Sequence, residues 1–214
     1  MTKMEFIALL RTAKSFDDFC TAQADLLSVL PELKIMLDYN IHKENQPYDL
    51  WEHSCRTVMA LPKGECASDA LVVAALLHDV GKPDAKMHGT NGDVHYPSHA
   101  LHGSQLVHAM LECPVSKFAS WFSEEEAKEI VFLIKHHDDN FRKANYDFKL
   151  LKKQPKNWLI DLCYLEKADA IAHKQTDEIL QRIADAERML QVANKMKAYG
   201  ISSKPSFYLH MEAP

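Results

Sequence analysis

The stretch ALVVAALLHDVGKP, residues 70–83, begins with an unbroken run of eight apolar residues. Its apolar run predicts a helix that Ser68 can cap and that Gly81 and Pro83 close. A histidine and an aspartate, His78 and Asp79, follow the run directly. An ionised carboxylate so close to a core costs several kcal/mol unless a cation compensates it. The pair therefore either sits at a solvated helix end or holds a cation.

The composition favours a helical protein. The chain has 214 residues, of which 47% are hydrophobic and only 6 are glycine. With so few glycines the chain can form few hairpin turns, and we predict an all-α fold. The length suits one domain or a domain with an extra helical layer. A formal charge of −5 disfavours a broad nucleic-acid groove, which needs a basic stripe, but it permits a small phosphorylated ligand.

Cysteine usage and hydropathy predict a cytoplasmic protein. The five cysteines are scattered and never spaced as CxxC, which disfavours a disulfide framework and a thiolate zinc site. The N-terminus lacks the long apolar segment and small-residue cleavage site of a signal peptide. No window approaches the roughly 18 consecutive apolar residues of a membrane span. We expect a soluble chain with no membrane partner, and its oligomeric state is not predicted.

Apolar spacing and capping residues predict several further helices. A polar loop is expected over residues 40–47, a turn-rich connection over 84–98, and no regular period over the tail 200–214. The predicted helices cover residues 4–13, 16–30, 49–61, 69–79, 99–111, 124–137, 157–173 and 176–198.

Histidines and aspartates recur near the ends or on single faces of these predicted helices. Taken singly, each has a structural explanation: a helical histidine is more often hydrogen-bonded or partly exposed than a ligand, and Asp169 can pair with His173 at i+4. Neutral imidazole and carboxylate together, however, suit a divalent transition metal ion, which would also neutralise Asp79. The residues of interest are His53, His78, Asp79, Lys82, His99, His136, His137 and Asp169.

The order of these residues resembles a known family. His53, then His78 with Asp79, then Asp169 reproduce the H…HD…D signature of the HD superfamily of metal-dependent phosphohydrolases. Six blocks in the same order are similar to the HD domain of the tRNA nucleotidyltransferase and poly(A) polymerase family. The blocks are PELKIML, YDLWEHSCRTVMALP, AALLHDVGKP, VHYPSHALHGSQLV, VFLIKHHDD and LEKADAIAHK, over roughly residues 31–174.

The resemblance implies an HD-domain helical bundle with a metal site between its helices. The nucleotidyltransferase part of that family needs a glycine-serine turn and paired aspartates, which residues 1–48 do not supply. We therefore expect a free-standing HD domain that does not add nucleotides. The expected segments are N-terminal helices over 1–30, the HD domain over 31–174, a C-terminal helix over 175–198 and a loosely structured tail over 199–214.

The resemblance also implies a first metal site. Its ligands would be His53, His78, Asp79 and Asp169, which match the family's four core positions. The implied cofactor is a divalent metal, one or two ions of Mn, Fe, Co, Ni, Mg or Zn.

A second ion is implied by the remaining histidines. His99, together with His136 or His137, resembles the extra ligands of HD proteins that bind two metal ions. The sequence leaves the choice between His136 and His137 open, because neighbours on a helix point about 100° apart. Lys82 matches a lysine that contacts phosphate in many members.

The leading hypothesis is hydrolysis of a phosphate ester by a metal-activated water. Asp79 and Lys82 would be the catalytic residues, the first anchoring the ion and the second neutralising charge on the phosphoryl oxygens. The implied substrate is a nucleotide, a 2′,3′-cyclic phosphate or an RNA-end phosphate, with RNA as a further partner. Two alternatives stay open: an HD-fold di-iron oxygenase, and a non-catalytic nucleotide- or RNA-binding HD module.

Overall fold

Helices make up most of the chain. The structure, a computed structural model, describes residues 1–41, 47–63, 67–139 and 155–199, and there the predicted all-α class is confirmed. The tail 200–214 and residues 42–46 of the predicted loop lie outside the described residues. The helices are α1 (Lys3–Thr12), α2 (Phe16–Val29), α3 (Leu50–Ala60), α4 (Asp69–Leu77), α5 (His99–Glu112), α6 (Glu124–His136), α7 (Lys156–Ala172) and α8 (Asp177–Tyr199), with 3₁₀ helices at Pro31–Met36 and Ala119–Trp121.

Capping side chains set the starts of these helices close to the predicted positions. Ser68 Oγ accepts a hydrogen bond from the backbone N–H of Leu71 at 2.9 Å, which starts α4. Ser123 and Glu126 form a reciprocal capping box at the start of α6. Each cap satisfies backbone donors that the helix itself cannot.

Helix α4 lies in the centre of the bundle. Every residue from Ala70 to Leu77 is buried, and α4 packs against α1, α3, α6 and α7. A helix that is apolar on all sides needs such an enclosed position. The helix therefore delivers His78 and Asp79 into the interior, where their exposed fractions are 0% and 1%. Of the two explanations for this pair, a position at a solvated helix end is therefore excluded.

Two glycines bring the turn after α4 against the start of α5. A Cβ atom at Gly81 would overlap the carbonyl oxygen of His99 and the backbone nitrogen of Gly103. Only glycine allows the two backbones to approach so closely. The contact holds His99 beside the turn that carries Asp79.

The connection over 84–98 contains an antiparallel ribbon that the sequence did not predict. Its strands are Met87–His88 and Val94–His95, and Gly92 turns between them at a φ of +81°. Strands of two residues are too short to show the alternation by which strands are recognised.

The N-terminal helices pack on this bundle. Helix α1 lies against α3 and α4, and Arg11 binds Asp69 at the start of α4 at 2.9 Å. The predicted segment boundaries themselves stay a prediction. Within the ranges described, none of the helices combines the length and apolar character that crossing a membrane requires.

Candidate metal centre

Helix ends from five different helices converge on one buried cluster. Histidine and aspartate side chains form three groups in which the ligand atoms all lie within 4.8 Å of one another. Since Asp79 belongs to two groups and His53 to two, the three groups are continuous. The groups are His53, His78 and Asp79; Asp79, His99 and His137; and His53, Asp169 and His173.

The first half of the cluster surrounds one oxygen of Asp79. Asp79 Oδ2 lies 3.2 Å from His78 Nε2 and 3.5 Å from His53 Nε2. Asp169 Oδ1 approaches the same two rings, at 3.0 Å from His53 Nε2 and 3.6 Å from His78 Nε2. The structure thus brings together the four residues that the resemblance assigns to the first ion.

The second half surrounds the other oxygen of Asp79. Asp79 Oδ1 lies 3.2 Å from His99 Nε2 and 3.5 Å from His137 Nε2. The two Nε2 atoms are themselves 3.2 Å apart. Asp79 therefore joins the halves, with one carboxylate oxygen facing each.

Backbone carbonyls orient three of the histidine rings in the same way. Each ring points its Nδ1 at the carbonyl oxygen of the residue three positions earlier, so Nδ1 donates. In a neutral ring with this tautomer, Nε2 carries the free lone pair, which is the arrangement of a metal-binding histidine. The pairs are His78 with Ala75 at 2.8 Å, His99 with Tyr96 at 2.9 Å, and His137 with Ile134 at 2.7 Å.

The electrostatics of the cluster keep its aspartates ionised. Burial opposes ionisation of Asp79, yet the charges of His78 and Lys82 hold its pKa well below the ordinary value. Burial likewise opposes protonation of His78, but Asp79 and Asp169 raise the pKa of this ring to about 10. Burial also opposes ionisation of Asp169, yet hydrogen bonds from His53 and His78 hold its pKa well below the ordinary value. Both buried carboxylates therefore remain ionised and need compensating cations.

A divalent metal ion fits these residues. The Nε2 atom of His78 is buried and makes no hydrogen bond to the described residues, although carboxylate oxygens lie beside it. Imidazole nitrogens and carboxylate oxygens, without thiolate, are a donor set for Mn, Fe, Co, Ni or Zn. The cluster could hold one ion in each half, with Asp79 between them.

Lys82 lies in the cluster as well. Its Nζ donates to Asp79 Oδ2 at 2.5 Å, and the residue is only 6% exposed. Lys82 comes one turn after Asp79, so the two side chains emerge on the same side of the turn that follows α4. A buried ammonium group thus lies beside the oxygen of Asp79 that faces His53 and His78.

The neighbouring residues His136 and His137 make different contacts. His136 Nδ1 donates to Asp139 Oδ2 at 2.8 Å, and its ring lies 4.7 Å from the ring of Phe132. His136 belongs to none of the three groups found among the described residues, whereas His137 belongs to one. The second half of the cluster is therefore built with His137, as the rotation of about 100° between neighbours allows.

A comparison with known families agrees with this geometry. The family model of the HD domain matches residues 50–189. This chain belongs to the HD domain family. The HD domain is found in a superfamily of metal-dependent phosphohydrolases, and HD domains bind divalent metal ions. No match was found among curated proteins. The finer resemblance to the tRNA nucleotidyltransferases stays a prediction.

The HD domain also contains a third histidine group that the sequence did not single out as a site. His173 was expected only as an i+4 partner of Asp169. Its Nδ1 points at the backbone oxygen of Asp169 at 2.8 Å, and its ring lies 4.8 Å from the ring of His53. His173 thus closes the cluster on the side of α7.

Arg182 in α8 was missed entirely. Its Nη2 donates to Asp169 Oδ2 at 2.9 Å. Helix α8 carries charged residues along most of its length, so one arginine among them gives no signal in the sequence. Only the packing of α8 on α7 reveals its partner.

Proposed function

We propose that this HD protein hydrolyses a phosphate ester of a nucleotide or of an RNA end, in a reaction that requires a divalent metal ion. The observation that carries the proposal is the position of the Asp79 carboxylate, whose two oxygens face two separate groups of histidines. Membership of the HD family supports hydrolysis as the reaction class. The substrate is our inference.

Two sets of residues would hold the metal. One ion would bind His53, His78, Asp79 and Asp169, and a second would bind Asp79, His99 and His137. A bound divalent ion lowers the pKa of water from about 16 to near 7 and offsets negative charge on a phosphoryl group.

Lys82 would bind the phosphoryl oxygens. Its ammonium group is buried beside Asp79, and charges interact more strongly in such a poorly solvated position than in water. Because Lys82 is held in place before substrate arrives, it would stabilise the charge that develops during transfer without a reorganisation cost.

The oriented rings support the same role. His78, His99 and His137 are fixed by hydrogen bonds to their own helices, so they need not rearrange during the reaction. The net charge of −5 favours a small phosphorylated molecule over a long nucleic acid.

The test is a hydrolysis panel. Protein stripped with a chelator is reloaded with Mn, Co, Ni, Mg or Fe and assayed on phosphomonoesters, 2′,3′-cyclic nucleotides and phosphodiesters. We expect metal-dependent turnover of one class. Asp79→Asn should abolish it, whereas His108→Gln, which removes an exposed histidine of α5, should retain it.

Two results would contradict the proposal. Stoichiometric iron with no turnover of any ester would favour oxygen chemistry at a di-iron site. Tight nucleotide binding without turnover under any metal would indicate a binding module.

A further inference from the structure

Asp169 uses its two carboxylate oxygens for different partners. Asp169 Oδ1 faces the histidines, with His53 Nε2 at 3.0 Å. Asp169 Oδ2 accepts a hydrogen bond from Arg182 Nη2 at 2.9 Å. Asp169 lies in α7 and Arg182 in α8, so their contact links α8 to the metal centre.

The surroundings explain why a cation is needed at that position. Asp169 is 6% exposed, and Glu166 lies one turn earlier on the same helix, with its carboxylate 3.8 Å from Arg182 Nη2. The Arg182 side chain is itself 22% exposed. Among the described residues, Oδ2 has no other hydrogen-bond donor, so removal of Arg182 would leave a buried carboxylate oxygen unsatisfied.

We propose that Arg182 is a positioning residue of the metal centre, which fixes Asp169 so that Oδ1 points toward the ligand histidines. A carboxylate held through one oxygen cannot rotate to exchange the two. Partners of this kind orient metal ligands and raise the affinity for the ion. The inference rests on the metal site of the proposed function and does not depend on its substrate.

If Arg182 only held α7 and α8 together, weakening another contact between these helices would lower metal affinity as well. Helices α7 and α8 share a second ion pair, in which Lys167 Nζ lies 2.7 Å from Glu187 Oε1. This pair involves none of the ligand groups. Glu187→Gln therefore serves as a matched control that weakens the same helix contact without touching Asp169.

The experiment measures metal affinity in the full chain. Chelator-treated protein is titrated with Co²⁺ by calorimetry, and the visible absorption of the bound ion is recorded. We expect Arg182→Ala to weaken binding by about tenfold to a hundredfold and to alter the absorption bands. Arg182→Lys, which keeps the charge, should recover part of the affinity. Glu187→Gln should bind as the unaltered protein does.

Several outcomes would overturn the inference. These are unchanged affinity and spectrum in a folded Arg182→Ala protein, an equal loss in Glu187→Gln, or an effect confined to the KM for a substrate. If Arg182→Ala does not fold, Arg182→Gln replaces it and is judged by the same criteria. Cobalt binding by the unaltered protein without ester hydrolysis would refute the proposed function and leave this inference standing.

Discussion

His99 and His137 face each other with their Nε2 atoms 3.2 Å apart, although 38 positions separate them in the chain. Both rings direct Nδ1 to a backbone carbonyl, so two neutral rings would oppose their lone pairs. A metal ion held by both rings would remove this opposition. This contact supports our proposal that the second half of the cluster holds a metal ion.

The two neighbouring histidines at the end of α6 should differ in their effect on metal binding. His137→Gln should lower the affinity for the proposed second ion by more than about tenfold, because a proposed ligand is lost. His136→Gln should leave it unchanged, since His136 contacts Asp139 and Phe132 instead. Metal content after dialysis, measured on both variants, checks this. The reverse order of effects would show that the ring assignment is wrong.

Loss of Lys82 should reduce turnover more than metal binding. Lys82→Met removes the ammonium group beside Asp79, and we expect kcat to fall by about a hundredfold or more. The bound metal should remain, because none of the nitrogen or carboxylate ligands is changed. Steady-state kinetics and metal analysis on the same preparation separate the two effects. Full activity in this variant would contradict the proposed binding of phosphoryl oxygens by Lys82.

Removal of metal should destabilise the fold. A ligand present at about a hundred times its Kd stabilises the native state by roughly 2.7 kcal/mol, which corresponds to a Tm change of roughly 5–10 °C for a chain of this size. Differential scanning calorimetry with and without chelator measures it. The Asp79→Asn protein is the control, because its Tm should not respond to the metal.

A second buried pair of acids predicts a pH dependence of stability. Ser68 Oγ donates to Asp161 Oδ2 at 2.8 Å, with Glu129 Oε1 3.5 Å from the same hydroxyl. Burial and the neighbouring Asp161 raise the pKa of Glu129 from its ordinary 4.5 to about 8. The folded chain therefore holds this proton more tightly than the unfolded chain does.

The sign of the effect follows from that shift. The contribution of Glu129 is fully present below pH 4.5 and is lost as the pH rises through about 8. The free energy of unfolding should fall by up to about 1.4 kcal/mol per pH unit in this window. Denaturant unfolding at several pH values gives the slope of the unfolding free energy against pH. This slope should be smaller in Glu129→Gln and unchanged in Glu124→Gln, which alters an exposed glutamate of the same helix. A slope equal in all three proteins would contradict the assignment.

The sequence predicted the centre of the fold because its signals there are strong. A helix formed by the apolar run over 70–77 is stable only in an enclosed position. The histidine and aspartate that follow it can be buried only with compensating charges or hydrogen bonds. The resemblance then identified the HD superfamily, which the family match confirms. The convergence of His53, His78, Asp79 and Asp169 was expected for the same reason.

The rest of the site depends on orientation and packing, which spacing does not encode. The choice between His136 and His137 depends on where α6 ends and how it is rotated. Arg182 lies 13 residues after Asp169 on another helix, so neither i+3 nor i+4 spacing relates them. The ribbon at Met87–His88 and Val94–His95 is too short to produce a pattern.

The enclosed position of α4 has a kinetic consequence. Amide hydrogens of a helix with no exposed face exchange with solvent only when the whole molecule opens, so α4 should be among the slowest-exchanging segments. Two of the proposed ligands, His78 and Asp79, follow directly after its end. We therefore expect a bound ion to leave the cluster past the other helices, since passage on the α4 side would require an opening as rare as global unfolding.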